Sequence, residues 1–271
     1  MKVFKVTARE TGPLSSLLVN TSRLTPETIL DACVKGAIWL QKGGKGKILR
    51  ERNPSFLLKA QDLVTFYFDP KVLSLPTLKK AECIDETRHY GVWIKQAGVV
   101  TQGTQAGDHT SLLRYVEIIR KKQTFLVHRL DRETEGLTII AYTSEGAAKL
   151  SALFQENKIK KTYEAVVLGS ITPGISKTIT ASLDGKEAIT HYKVIDSSES
   201  KSLLRVEIET GRLHQIRRHL DFAGYPVMGD PKYGKGNKNR SGLKLLASSL
   251  SFTDPWDKKI KVWDHPSHLT V

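Results

Sequence analysis

The sequence predicts an α+β chain in which a largely antiparallel mixed sheet with flanking helices follows a small α/β domain. Three observations carry this reading. Short apolar runs rich in β-branched residues outnumber amphipathic helical segments, and most are joined by hairpin-like returns rather than by helices, as in antiparallel sheets. At 271 residues the chain can bury one large core or two smaller ones. The third is charge: Lys and Arg number 42 against 28 Asp and Glu, a net charge of +14, and the excess is denser over residues 1–78 than beyond.

From the amino terminus, Thr25 and Pro26 open a helix as cap and first-turn proline, with Ile29, Leu30, Cys33 and Val34 as its apolar face. Residues 37–40 read as a short strand, residues 41–47 as a basic, glycine-rich turn, and residues 62–68 as the closing strand. Residues 73–89 mix Pro76 with charges and little periodicity, which places a linker at residues 79–89 between domains 1–78 and 90–271. The second domain begins with a strand at residues 91–95. Ser144 caps a helix carrying Ala147, Leu150, Leu153 and Phe154. Residues 158–168 then alternate, with Tyr163, Ala165 and Val167 on one face. Residues 203–209 form a half-exposed strand in which Leu204, Val206 and Ile208 share a face.

Two stretches bear chemistry. Residues 128–136, His-Arg-Leu-Asp-Arg-Glu-Thr-Glu-Gly, set five charged side chains between two apolar strands, the setting in which a rigid frame displays functional loops. Residues 211 to about 223 read as a helix with Thr210 as cap and Gly224 as stop; Leu213, Ile216 and Leu220 make its inward stripe, and Arg217 points with them. A buried guanidinium cannot shed its charge and needs a carboxylate, for which Asp131 is the candidate. The basic excess favours a polyanionic partner. Cys33 and Cys83 have no neighbouring ligands at zinc spacing and are too few for a disulfide framework, so a reducing cytoplasm is expected. No apolar run is long enough to span a bilayer, and no membrane partner is expected.

His128-Arg129-Leu130-Asp131 with Thr134, Gly136 and Leu137, the run Lys161-Thr162-Tyr163, and Gly211-Arg212 with His214-Gln215-Ile216-Arg217 and His219 resemble the three signature motifs of the ribosomal large-subunit type of pseudouridine synthase. Residues 186–192, 224–234 and 246–252 continue the likeness, which runs in order from about residue 90 to about 262. Three positions depart from the family pattern: Glu135 stands where Ser or Thr is usual, Leu213 where a small hydroxyl residue is usual, and Gln96 where Lys-Pro-x-Gly has proline. Residues 12–69 more loosely resemble the small S4-type RNA-binding domain.

The resemblance implies isomerisation of uridine within RNA without a cofactor or metal, on ribosomal RNA in preference to tRNA, by a monomer that does not use DNA. It makes Asp131 the catalytic carboxylate, Arg217 its partner and Tyr163 the residue that stacks on the uracil, with Ile216 packing the other side of the base. Arg129 is implied to fill the gap left by the flipped nucleotide. His128, Arg212, His214 and Gln215 are expected to contact substrate, although a structural hydrogen-bonding role suits His128 better. Lys42, Lys45, Lys47, Lys232 and Lys235 are expected on RNA phosphates. Two other readings compete: an RNA-binding protein that has lost catalysis would be expected to lack Asp131, Tyr163 or Arg217, and a metal-dependent nuclease would need clustered carboxylates that the motif does not supply.

Overall fold

The computed structural model describes residues 1–237 and 239–271 and resolves into two units, residues 1–80 with 102–121, and residues 81–101 with 122–271. The first unit holds β1 (Lys2–Thr7), β2 (Gly12–Pro13), α1 (Leu14–Ser22), α2 (Pro26–Val34), β3 (Ile38–Gln41), β4 (Ile48–Arg50), β5 (Leu57–Leu58), β6 (Leu63–Phe68), α3 (Pro70–Leu73) and α4 (Leu112–Arg120). Its antiparallel sheet runs β1-β6-β3-β4. Thr25 caps α2 as expected, its side chain accepting the Thr28 amide hydrogen at 3.3 Å. The buried face of α2 is Ile29, Ala32 and Cys33, whereas Leu30 and Val34 are 45% and 66% exposed. Burial follows the i, i+3, i+4 row, and the expected face was too wide.

Residues 102–121 belong to the first unit rather than to the second domain in which the sequence placed them. Backbone and side chains both tie them there: the Asp108 amide donates to the Lys35 carbonyl at 3.0 Å, the Trp39 indole to the Gln105 carbonyl at 2.9 Å, and Arg52 Nη2 to Asp108 Oδ2 at 2.6 Å. Nothing local in residues 102–121 signals such partners, since all lie far away in sequence.

The second unit holds β7 (Glu82–Glu86), β8 (Tyr90–Lys95), β9 (Phe125–Leu126), β10 (Glu135–Ala141), α5 (Ser144–Gln155), β11 (Lys160–Leu168), β12 (Ser176–Thr180), β13 (Ile189–Ser197), β14 (Lys201–Ile208), α6 (Gln215–Phe222), β15 (Leu245–Thr253) and β16 (Ile260–Asp264). Its sheet runs β12-β13-β14-β11-β15-β10-β8-β7, with β16 on β15 and β9 on β10. Every pairing is antiparallel except the short β10–β15 contact, so the largely antiparallel mixed sheet is the one expected. The segment expected as linker instead supplies β7, whose Glu82, Asp85 and Glu86 put charge on the outer strand, where it discourages edge pairing. Thr143, not Ser144, caps α5 by accepting the Gly146 amide hydrogen at 3.0 Å.

Two apolar layers grip the sheet. Tyr90, Val92, Leu137, Ile139 and Leu150 lie in one; Leu130, Tyr163, Ala165, Val206, Ile216 and Leu220 lie in the other. Leu130 anchors the charged loop to the second layer, which leaves Asp131 beside the packed end of β11. Gly136 closes that loop. Its φ of +121° and a would-be Cβ only 2.2 Å from the Ala247 carbonyl oxygen exclude any side chain where β10 meets β15.

Candidate active site

Within the second unit a cavity of about 750 Å³ opens between β11, α6 and the residue 128–134 loop. Arg129, Asp131, Lys161, Tyr163, His214, Ile216 and Arg217 line it, from segments far apart in the chain.

Arg217 is the best-anchored charge there. Helix α6 turns it inward with Ile216 and Leu220, leaving it 2% exposed. Its Nε and Nη2 donate to the two carboxylate oxygens of Asp230 at 2.7 and 2.8 Å, and Nη1 donates to Asp131 Oδ2 at 3.1 Å. Tyr233 covers the guanidinium at 5.3 Å. Burial alone would push this guanidinium's pKa down; the hydrogen bonds and charge of Asp230, with those of Asp131, outweigh it and push it up. Asp230 is wholly buried, and burial raises its carboxyl. Arg217 and the amides of Lys232 and Tyr233, donating at 2.8 and 3.0 Å, more than reverse that and hold it below the ordinary range.

The sequence argument that Arg217 needs a carboxylate therefore holds, but its two-pronged partner is Asp230. Asp131 takes the remaining nitrogen. Asp230 stands in the residue 224–234 stretch noted for its likeness, and a Gly-Asp-Pro turn gives no hint of which cation it meets. The consequence is electrostatic: one guanidinium faces two carboxylates, with Glu133 a further 3.8 Å away, so Asp131 presents its charge to the cavity.

Asp131 is also held from both sides by the turn after β8. The Thr101 hydroxyl donates to the Leu130 carbonyl at 3.0 Å, and the Leu130 amide donates back to that hydroxyl at 3.1 Å. The Gly98 amide donates to the Arg132 carbonyl at 2.8 Å, and Arg132 Nε to the Gly98 carbonyl at 3.1 Å. Lys95, fully buried, donates to the carbonyls of Gln96, Val99 and Arg132 at 3.2, 2.8 and 3.2 Å. Burial pushes its ammonium down to about 8, against the opposing pull of Asp131, Glu133 and Glu135. The turn thus survives with Gln96 in place of proline.

Tyr163 and Ile216 contribute the apolar walls, 9% and 5% exposed. Burial pushes the Tyr163 phenol up, and the charge of Asp131 pushes it the same way, so it carries its proton. A cavity lined by a protonated phenol, an apolar Ile216 side chain and the Asp131 carboxylate suits a planar, polar-edged ring.

A model of RNA pseudouridylate synthases matches residues 89–222. The chain is 32% identical over 252 residues to ribosomal large subunit pseudouridine synthase D of Buchnera aphidicola, spanning 80% of this chain and 79% of the relative. The chain belongs to the RNA pseudouridine synthase family. It is also 38% identical over 170 residues to the protein of that name from Pseudomonas aeruginosa, 56% of this chain and 53% of the relative, so it spans about half the length of some relatives it matches. Human RNA pseudouridylate synthase domain containing 1 shares the fold, with a TM-score of 0.58, 20% identity, and coverage of 69% of this chain and 84% of that one.

Set against the family expectation, the remaining residues divide. Arg129 is exposed and lines the cavity; Arg212 also lines it, with its Nε donating to the Glu187 carbonyl at 2.9 Å. His214 adopts left-handed backbone, φ 52°, directly before α6, an uncommon conformation for a non-glycine residue and one that gathers at functional sites. Its Nδ1 meets the Tyr233 hydroxyl at 3.1 Å and its Nε2 lies 3.8 Å from Asp131. Because His214 breaks the helical run, α6 begins four residues later than the sequence suggested. Thr210 is not its cap, and Leu213 leaves the inward stripe at 56% exposure.

Gln215 lines the cavity, and its side chain is also bonded within the fold. Its carbonyl accepts from Thr210 and Arg212, and its amide donates to Ile189 and Thr190, so all four bonding positions serve the fold. His128 likewise braces the strand behind it: Nε2 accepts the Ile139 amide hydrogen at 2.9 Å, its ring stacks on Phe154 at 4.5 Å, and burial, with the nearby Lys161 charge, pushes it down to about 3. Glu135, the family departure, meets His265 Nε2 at 3.4 Å. Lys232 and Lys235 are exposed on the turn after Asp230, and Lys42, Lys45 and Lys47 are exposed in the first unit.

Proposed function

We propose that the chain isomerises uridine to pseudouridine within structured RNA, with large-subunit ribosomal RNA as the foremost substrate and Asp131 as the reacting carboxylate. The arrangement that carries the reading is Asp131, oriented by its hydrogen bond from Arg217, in a cavity that Tyr163 and Ile216 also line. Relatives named for ribosomal large subunit modification favour that RNA over tRNA.

The reaction breaks the bond between C1′ and N1, turns the base, joins C1′ to C5, and moves the C5 proton off carbon while N1 gains one. It is redox-neutral and needs no cofactor. Asp131 starts it, either by attack or by assisting removal of a sugar proton. Tyr163 stacks on the detached uracil and offers its hydroxyl proton, while Ile216 holds the opposite face and keeps water out. Extruding a nucleotide from a stack costs a few kcal/mol, and Arg129 offsets part of this by entering the vacancy. The basic first unit, which the sequence likens to an S4 domain, supplies RNA affinity through Lys42, Lys45 and Lys47. The protein acts as a monomer in the cytoplasm.

The test is tritium release from transcripts of large-subunit ribosomal RNA and of tRNA carrying 5-labelled uridine. Release from the ribosomal transcript supports the reading, release from tRNA alone moves the substrate, and release from neither contradicts it.

A further inference from the structure

Lys161 lines the cavity on the same strand face as Tyr163, two residues away, a separation of roughly 6.6 Å by strand rise. It is nine-tenths buried. Among the described residues no carboxylate pairs with it; burial lowers its pKa with no anionic charge opposing, whereas Lys95 feels Asp131, Glu133 and Glu135. Its charge is felt instead by His128, which stacks on Phe154 of α5. The charges lining the cavity therefore fall into two chemically different groups. Asp131, Arg217 and His214 make one, with Tyr163 within reach of the Asp131 charge. Lys161 makes the other, near α5, whose Ser151 and Gln155 also line the space.

A buried ammonium without a counter-charge is costly to keep, and a lysine aimed into a cavity recovers that cost when an anion arrives. We propose that Lys161 is a phosphate subsite: it binds a backbone phosphodiester next to the target uridine while the base lies by Asp131 and Tyr163. An intact uridine base at Lys161 would present a neutral ring to a full charge, whereas the phosphodiester is an anion before, during and after the reaction. Lys161 thereby sets how far the flipped nucleotide enters, as a binding and positioning residue. The inference rests on RNA being the substrate.

The experiment measures binding to a large-subunit ribosomal RNA transcript at several salt concentrations, and the kinetic constants for tritium release, in wild type, Lys161→Met, Lys161→Gln and Lys161→Arg. Loss of one phosphate contact flattens the slope of log affinity against log salt by about 0.7 to 0.9. With a charge-assisted hydrogen bond lost, KM rises about tenfold or more and kcat stays within about twofold. Lys161→Arg restores most of both. Replacing an unpaired buried charge by Met keeps the fold, and Lys161→Gln provides a second neutral variant. An unchanged salt slope and KM in the neutral variants would overturn the proposal, as would a fall in kcat with KM unchanged, which would put Lys161 on the base. Binding is read without turnover: an RNA-binding protein with the predicted Lys161 slope and no tritium release would contradict the isomerase reading and leave the phosphate subsite standing.

Discussion

Arg217 and Asp230 form a fully buried two-pronged ion pair, at 2.7 and 2.8 Å, and the same guanidinium reaches Asp131 with its remaining nitrogen. The pair fixes the plane of the guanidinium and therefore the direction in which Nη1 points. Asp131 is positioned by a residue that is itself positioned elsewhere.

Stability and activity should consequently separate between the two aspartates. Asp230→Asn removes one partner of a buried pair and leaves Arg217 undercompensated, at a cost of about 3–5 kcal/mol. Asp131→Asn, at the cavity surface, should shift stability by under about 1 kcal/mol. Urea unfolding of the two variants checks this; equal shifts would mean that Asp230 is not the main anchor.

Lys95 gives a pH-dependent signature. Its ammonium titrates at about 8 in the fold, against 10.5 for a free lysine. Between those values the unfolded chain holds the extra proton, so this group makes stability rise with pH from about 8 to 10.5, and that contribution is lost as pH falls back through 8. Wild type should gain stability over that window relative to Lys95→Met. Activity should move the opposite way, because a neutral amine has one donor fewer for the three carbonyls that hold the Asp131 loop. The rate should fall above about pH 8 in wild type but not in Lys95→Arg, whose charge persists. Parallel pH profiles for wild type and Lys95→Arg would remove Lys95 from the account.

The basic turn of the first unit should act on affinity alone. Replacing Lys42, Lys45 and Lys47 together by Ala should flatten the salt slope by about two units, at about 0.7 per phosphate contact, and raise KM with kcat retained. An unchanged slope would make these lysines a solvated surface.

Much of the site was legible in the sequence because its chemistry is local. Five charges between two apolar strands mark the loop of Asp131, and an arginine in register with Ile216 and Leu220 marks an inward charge. What escaped was non-local. The need of Arg217 for a carboxylate is readable, but not the choice of Asp230, which depends on how the turn after α6 folds back. His214 in left-handed backbone cannot be seen by a helical period that runs straight through it, and that period puts Leu213 inside, where the structure leaves it exposed. Residues 102–121 join the first unit through Asp108 and Gln105, whose partners lie more than fifty residues away. Lys95 and Thr101, which clamp the loop on either side of Asp131, carry no sign of it in the residues around them.

The central claim is that Asp131 performs the chemistry, and tritium release from 5-labelled uridine in RNA by Asp131→Asn, with RNA binding measured alongside, tests it most directly. Binding rests on phosphate and stacking contacts spread over many groups, so affinity should stay near wild type while release falls to below about a hundredth of the wild-type rate, a loss of more than about 2.7 kcal/mol in transition-state stabilisation. Release above about a tenth of wild type with binding intact would contradict it, since a group that reacts with the nucleotide costs far more than tenfold when removed.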